Sequence, residues 1–455
     1  MPLIEEITDA EGEQLDSVQS SAKELRDTLK ALSARLALPE ELLPSFLHDD
    51  QHDVATRQYH DQSLSILRQI KQHVKNPAWV SLDEDDQVEV VYDVVRLYGS
   101  DPWTSDTICS IIDEITKVVD EPSFALLLLD RLRSLFSSTP HPMLNEQTSR
   151  ALSRPAGGKG AQDDFHDSET QLFKRYHAWG SHNVLGWAAS RLASSTLEKH
   201  IGLVLPPTLV LMDDWEPQWR ARGVRVLDRW MDKISPETMR RMGIDKLLKG
   251  SLVHTLSLHA SPPLTGILPV LVRLVRRSST GKERAEAYAD AFEKGIVNGW
   301  IYAPSGKEGR EVLIAIASDL ELFCDELGDG MVRWLKTIVP NLLNPLQYTP
   351  TPAVMVHYNA NLSALLHVVR TLEDTGRIVR WRGQILDVLS RLWVQLNERG
   401  EEEIGGVSDQ VQKCRGIIIK IFQELEKQVP SVRANEYASL LATDSAVFSP
   451  LVSTI

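Results

Sequence analysis

Cysteine is scarce in this sequence, and its first residues carry no export signal. The 455 residues include three cysteines. They are Cys109, Cys324 and Cys414, far apart and set in apolar helical patterns. Their spacing offers no disulfide framework and no CxxC metal pair, which is typical of a reducing compartment. The stretch MPLIEEITDAEGEQ lacks the basic region and apolar core of a signal peptide. We therefore expect a cytoplasmic and nuclear protein.

Long hydrophobic runs and excess positive charge are also missing. The longest apolar run, IGLVLPPTLVLM, contains two prolines and falls short of the roughly 20 residues that span a bilayer. The formal net charge is −14 and the sequence pI is near 5.5, so nucleic acid and anionic lipid would meet an unfavourable field. The basic run at 270–277 is interpreted as a solvated helix end. We expect neither nucleic acid nor membrane among the partners.

Alternation with a period of two residues is nearly absent, whereas a period of about 3.6 recurs along the chain. Short turns rich in Pro, Gly and Asp, such as Ser261-Pro262-Pro263, separate the helical segments. Long helices joined by short turns stack as antiparallel pairs. The predicted fold class is all-α, an α-solenoid of HEAT/armadillo-like antiparallel helix pairs.

Composition shifts divide the chain into four predicted parts. These are an N-terminal helical block at 1–136, a flexible linker or long loop at 137–170, a HEAT-like repeat domain at 171–430, and a C-terminal short helix and tail at 431–455. Residues 169–199 and 236–259 are each predicted as one helix. An apolar seam at 15–36 fits either a short coiled coil or a helix packed on its own domain.

Each catalytic or metal motif that the sequence suggests fails on its context. The AGGKGA stretch at 156–161 has no preceding strand and no Ser or Thr after its lysine, as a phosphate-binding loop requires. The cluster His48-Asp49-Asp50 with His52 is interpreted as a polar turn. His254 and His259 are five residues apart, and no GxSxG elbow is present. We predict a non-enzymatic protein without catalytic residues, cofactor or metal.

The stretch LPPTLVLMDDWEPQWRARGVRVLDRW at 205–230 is predicted as a helix pair. Asp213 and Asp214 fall in the turn, where the free N–H groups of the second helix need acceptors. Pro217 falls at the first position of that helix, where a missing N–H costs little. The two aspartates are therefore interpreted as helix caps and not as catalysts.

The second helix of this pair carries the rest of a HEAT-like pattern. Gly223 costs helix stability unless another helix crosses closely, and Leu227 is predicted to be core. Arg220 is placed either to reach back over the turn or to hydrogen-bond an acid of a neighbouring repeat. The order of proline, leucine, aspartate, arginine and a small residue favours a structural repeat over an acidic active site.

Two segments resemble the signature of the Tel-two-interacting protein two (Tti-two) family. The first is Leu205-Pro206-Pro207 leading to Asp213-Asp214 and then Gly223-Val224 with Leu227. The second is Leu327-Gly328-Asp329-Gly330 leading to Pro340. The resemblance extends over about residues 172–430.

This resemblance implies a subunit of the TTT co-chaperone complex of Tel-two, Tti-one and Tti-two. It implies direct binding to Tti-one, and indirect association with Tel-two, phosphatidylinositol-3-kinase-related kinases and the heat-shock chaperone machinery. The role implied is support of kinase maturation and stability. Two alternatives remain open: another HEAT-repeat adaptor, such as a transport receptor or phosphatase scaffold, and an enzyme with a dispersed site.

Tryptophan is frequent, with 11 residues against nine phenylalanines, and it is enriched at the centres of protein interfaces. The residues considered for partner binding are Trp215, Trp219, Trp300, Trp334 and Trp381. Each fits a core position as well, because helical repeats also bury aromatic side chains.

Overall fold

The computed structural model describes residues 9–42, 50–119, 122–136, 141–145, 147–154, 171–259, 263–264, 266–398 and 408–452. Over these ranges the chain forms helices and no β-strand, with one isolated β-bridge between Leu144 and Ala151. The all-α prediction is confirmed. No helix in the described ranges is long and apolar enough to cross a bilayer.

The chain divides into two compact units, Met1–Leu247 and Leu248–Ile455. The predicted linker at 137–170 falls within the first unit, and helices from before and after it pack together there. The boundary between the compact units, at 247/248, therefore differs from the boundaries of the four predicted parts. Those four parts stay a prediction. Much of the linker, 137–140, 146 and 155–170, lies outside the described residues.

The described residues of the first unit form helices α1 (Asp9–Ala34), α2 (Asp50–Val74), α3 (Glu84–Val95), α4 (Asp106–Thr116), α5 (Pro122–Phe136), α6 (Ser181–Arg191), α7 (Ser194–Lys199), α8 (Leu205–Met212), α9 (Pro217–Trp230) and α10 (Pro236–Met242). The next helix, α11 (Ile244–Leu256), runs across the boundary between units. Within the first unit α9 packs on α8 and α6, and α6 packs on α5.

The apolar seam of α1 packs on its own unit. Leu25, Leu29, Leu32 and Leu36 are all buried, and α1 contacts α2 and α3. This favours the packed helix over the coiled coil. The side chains of the first part of the seam, at 15–20, lie outside the described residues.

Two predicted long helices are interrupted at glycines, so both predictions are wrong. Within the predicted helix at 169–199, the described residues 171–199 form two 3₁₀ turns, Leu172–Lys174 and Tyr176–Ala178, before α6 and α7. Gly180 has φ 68°, and a Cβ there would lie 2.7 Å from a backbone oxygen of α3's C-cap. Gly243, with φ 73°, separates α10 from α11. Glycine alone adopts these backbone angles without strain.

The described residues of the second unit form helices α12 (Ile267–Ser278), α13 (Gly281–Phe292), α14 (Asn298–Tyr302), α15 (Gly306–Leu327), α16 (Leu335–Leu343), α17 (Met355–Thr371), α18 (Arg382–Glu398), α19 (Ser408–Gln428), α20 (Ala438–Thr443) and α21 (Ser445–Val452). One π-helical turn, Glu293–Val297, connects α13 to α14, and another, Arg433–Tyr437, precedes α20.

Helices α12, α15, α17 and α19 are successive neighbours in the second unit. Near the start of α17 and α19, Asn359 Nδ2 donates to the Gln410 carbonyl at 3.0 Å. Near their ends, Arg370 Nε lies 2.8 Å from Glu424 Oε1, so the two helices run parallel. Helices α13, α16 and α18 lie between them in sequence and pack beside them. Parallel first helices with returning second helices are the arrangement of stacked helical repeats.

Candidate functional site

The signature at 205–230 forms a helix pair as predicted. Pro206 and Pro207 lie in the first turn of α8, and Pro217 begins α9, where a missing N–H leaves no hydrogen bond unmade. Leu205, Leu209 and Met212 are fully buried. The residues from Pro207 to Leu211 are buried too, and Pro206 is half-buried, so protein encloses almost all of α8.

Gly223 lies where α9 meets the C-terminal end of α8. A Cβ added at Gly223 would stand 2.6 Å from the backbone nitrogen of Met212 and 2.9 Å from the carbonyl carbon of Leu211. This is the close crossing that the sequence predicted. On the same helix Leu227 is fully buried, as a core residue should be.

Asp214 does not cap α9, and the capping prediction is wrong for it. Its Oδ1 accepts from the amide of Glu216 at 2.8 Å and from Lys174 Nζ at 2.8 Å. Lys174 Nζ also donates to Glu216 Oε1 at 2.7 Å. Burial raises the pKa of Asp214, and the hydrogen bonds from Lys174 and the Glu216 amide oppose that rise. Asp214 therefore binds the turn Leu172–Lys174 to the start of α9.

Asp213 does not cap α9 either, since the residue before that helix is Glu216 and it makes no side-chain cap bond. Its Oδ2 lies 3.0 Å from His141 Nε2. His141 is buried and comes from the segment after α5. The adjacent aspartates thus join two different segments, both distant in sequence, to one turn.

Arg220 reaches back over the turn, which is one of the two placements that the sequence allowed. Its Nε donates to the carbonyl oxygen of Asp214. Burial lowers the pKa of the Arg220 guanidinium, partly offset by Asp213 and Asp214. Arg220 therefore satisfies a backbone acceptor between α8 and α9.

A buried polar cluster lies behind α9, centred on Asp101. Asn183 Nδ2 donates to Asp101 Oδ2 at 2.8 Å. His182 Nε2 and Arg222 Nη2 each lie 3.5 Å from an oxygen of Asp101. Burial alone would raise the pKa of Asp101, but His182, Arg222 and Asn183 hold it below its usual range. The members come from separate parts of the sequence and follow no local pattern, so sequence reasoning missed this cluster.

His182 is held in its neutral form by its surroundings. Burial lowers its pKa to about 4, with the Arg222 charge in the same direction and Asp101 opposed. Its ring meets that of Trp219 edge-on, with centroids 6.1 Å apart. Neutral imidazole presents one donor and one acceptor nitrogen.

A cleft in the first unit opens beside this cluster, and we call it the Trp103 cleft. Its volume is about 160 Å³. The apolar lining consists of Leu38, Trp103, Phe173, Trp179 and Trp219. The charged lining consists of Lys174, Arg175, Glu216 and Arg222. Its wall therefore includes Glu216, residues of α9, and Lys174, which pairs with Glu216.

The tryptophans proposed for partner binding occupy different environments. Trp215 is 59% exposed, and Lys174 Nζ lies 5.3 Å from its ring centroid. Trp219 is buried edge-on against Phe173. Trp300 and Trp381 are half-buried. Trp215 alone among the described members of this set has most of its surface free for a partner.

Trp334 belongs to the core of the second unit. Its side chain is buried, and its ring centroid lies 4.5 Å from that of Phe292. This corrects its assignment as a partner-binding residue, because a packed ring offers little surface to another protein.

The second signature segment ends one helix and forms the next. Gly328 has φ 50° and follows the last residue of α15, a position that favours glycine. A Cβ at Gly330 would meet only Leu327 Cβ, at 4.0 Å, so packing does not require glycine there. Pro340 lies inside α16.

The described ranges hold no group of three or more His, Cys, Asp or Glu placed to bind a metal ion. Burial raises the pKa of Cys324 and Cys414 to about 12, so both stay thiols at neutral pH. His259 is half-buried with φ 47°. The AGGKGA stretch and the His48–His52 cluster lie outside the residues whose side chains are described.

Stacked helix pairs, a largely buried α8 and a glycine at the helix crossing define a helical-repeat protein of the HEAT type. The chain belongs to the Tti2 family, whose model matches residues 91–353. That match contains both signature segments. Membership implies a subunit of the TTT co-chaperone complex. No curated protein matches the chain.

Proposed function

We propose that this chain is a non-enzymatic scaffold subunit of the TTT complex that binds Tti-one directly. Through Tti-one it associates with Tel-two, and through the assembled complex with the heat-shock chaperone machinery and phosphatidylinositol-3-kinase-related kinases. Its role is to support the maturation and stability of those kinases, in the cytoplasm and the nucleus. The observation that carries this proposal is the family match over residues 91–353.

Physical features of the chain support a scaffold. Helical repeats present extended surfaces built from many helices, and such surfaces suit another helical protein as partner. The exposed Trp215 ring is an anchor of the kind that dominates binding energy.

Affinity purification of the tagged chain from its own cells tests the proposal. Tti-one should co-purify in stoichiometric amount, with Tel-two at a comparable level. Recovery of transport cargo or phosphatase subunits in place of Tti-one would contradict the proposal and favour another HEAT-repeat adaptor.

Depletion of the chain tests the role in maturation. The kinases should fall in protein abundance while their messenger RNA stays constant, because the defect follows translation. Re-expression of the wild-type chain should restore their abundance. A metal or cofactor retained by the purified chain would contradict the non-enzymatic part of the proposal.

A further inference from the structure

Two side chains that line the Trp103 cleft hold polar atoms without partners. Trp103 Nε1 and both ring nitrogens of His182 make no hydrogen bond within the described residues, and each side chain is 5% exposed. Native proteins keep few such groups. These atoms have almost no accessible surface of their own, so the features of the cleft that a partner can contact are its aromatic rings and its charged side chains.

The charges of the cleft leave one cation without compensation. Lys174 lies between Asp214 and Glu216, and Arg222 faces Asp101. Arg175 is exposed and forms no ion pair with any residue in the described ranges. A carboxylate approaching the cleft would therefore find a guanidinium free to bind it.

The size and lining of the cleft exclude a drug-sized ligand and suit a side chain. Its volume of about 160 Å³ is below the roughly 300–1,000 Å³ of small-molecule pockets. Tryptophan and phenylalanine rings form most of its apolar wall, and these rings bind apolar groups strongly once water is excluded. Trp215 lies next to the cleft, because Lys174 Nζ is 5.3 Å from its ring centroid and Lys174 also lines the cleft.

We propose that the Trp103 cleft docks a segment of the partner subunit in which a large apolar side chain stands next to a carboxylate. The apolar side chain enters between the aromatic rings, and the carboxylate binds Arg175. This inference rests on the proposed function, since the partner subunit is the one that the complex supplies.

Binding of the purified chain to purified Tti-one, measured by calorimetry, tests the inference. Arg175→Glu should weaken binding by at least about tenfold, because a repulsive charge replaces an attractive one. Trp215→Ala should also weaken it. The matched controls are Arg68→Glu and Val80→Ala, at exposed positions of the first unit outside the cleft lining, and these should bind like wild type. Circular dichroism establishes that every variant is folded.

A photo-reactive residue at position 215 identifies the occupant. The cross-linked peptide should come from the partner and carry a large apolar residue beside Asp or Glu. Reversing that acid to lysine should restore binding to Arg175→Glu. A cross-link to this chain's own acidic stretch at 163–169, or to a partner segment without an acid, would overturn the inference.

The two proposals fail in different ways. If wild-type chain does not bind Tti-one, the proposed function fails and the docking inference fails with it. If wild-type chain binds and Arg175→Glu binds equally well, only the docking inference is wrong.

Discussion

Lys174 Nζ lies 2.8 Å from Oδ1 of the fully buried Asp214. The pair joins the 3₁₀ turn that follows the predicted linker to the turn between α8 and α9. In the Asp213-Asp214 part of the family signature, the carboxylates therefore connect segments that are distant in sequence. The same lysine lines the Trp103 cleft, so stability and the proposed docking surface share a residue.

Asp214→Ala should lower the free energy of unfolding by about 1–3 kcal/mol, because the Lys174 ammonium and the Glu216 amide lose a buried acceptor. Asp213→Ala should cost less, since the Asp213 side chain is 29% exposed. Chemical denaturation followed by tryptophan fluorescence measures both. Equal losses would contradict the buried role assigned to Asp214.

Gly223→Ala should destabilise the first unit by about 1–3 kcal/mol, because the new methyl group would press on the backbone of Met212 and Leu211. Gly416→Ala is the matched control: Gly416 lies inside α19, and a Cβ there meets nothing within 4 Å. That control should be neutral or gain up to about 1 kcal/mol. Thermal denaturation compares the two, and a stable Gly223→Ala would show that α8 and α9 can separate freely.

Leu227→Ala should cost about 2–5 kcal/mol, because it removes fully buried apolar volume. Leu127→Ala, at a position 39% exposed on α5, should cost much less. Denaturation midpoints give the comparison. Surface substitutions usually change the free energy of unfolding by less than about 0.5 kcal/mol. A loss that small for Leu227→Ala would contradict its placement in the core.

Asp319→Asn should stabilise the second unit at pH 8 by at least about 1 kcal/mol. Burial raises the pKa of Asp319 from 3.8 to about 7, so the folded state binds a proton that the unfolded state has lost. The free energy of unfolding of the wild-type chain therefore falls as the pH rises from 3.8 through about 7. The difference between variant and wild type should shrink from pH 8 to pH 4, and a difference independent of pH would contradict the shift.

His357→Gln should flatten the acid side of the stability profile. Burial, helped by the Arg310 charge, lowers the pKa of His357 from 6.5 to about 4. Between those pH values the unfolded state binds the proton first, so wild-type stability falls as pH drops from about 6.5 to 4. Denaturation at pH 7.5 and pH 4.5 measures the slope. An unchanged slope in the variant would show that His357 does not contribute it.

Local chemistry let the sequence predict the helix pair at 205–230. Pro217 and Gly223 act on neighbours within that stretch, so their positions carry the information. The partners of the aspartates were out of reach, because Lys174 and His141 come from 40 and 72 residues away. A sequence pattern does not specify which distant segment supplies the donor.

Periodicity also left the placement of large side chains open. Trp334 and Trp215 both stand beside charged residues in sequence, yet one packs on Phe292 and the other is exposed. The glycines at Gly180 and Gly243 were visible in the sequence, but their helix-ending role depends on positive φ angles. Helical propensity around them favoured continuous helices, and tertiary contacts prevailed.

Ion pairs connect the C-terminal ends of successive parallel helices in the second unit. They are Arg276–Glu326 and Arg370–Glu424. Each pair has at least one partner open to solvent, so salt weakens it, whereas the apolar contacts along the rest of each helix respond little to salt. Higher salt should therefore make it easier to separate these helices at their C-terminal ends, while the rest of each helix stays packed.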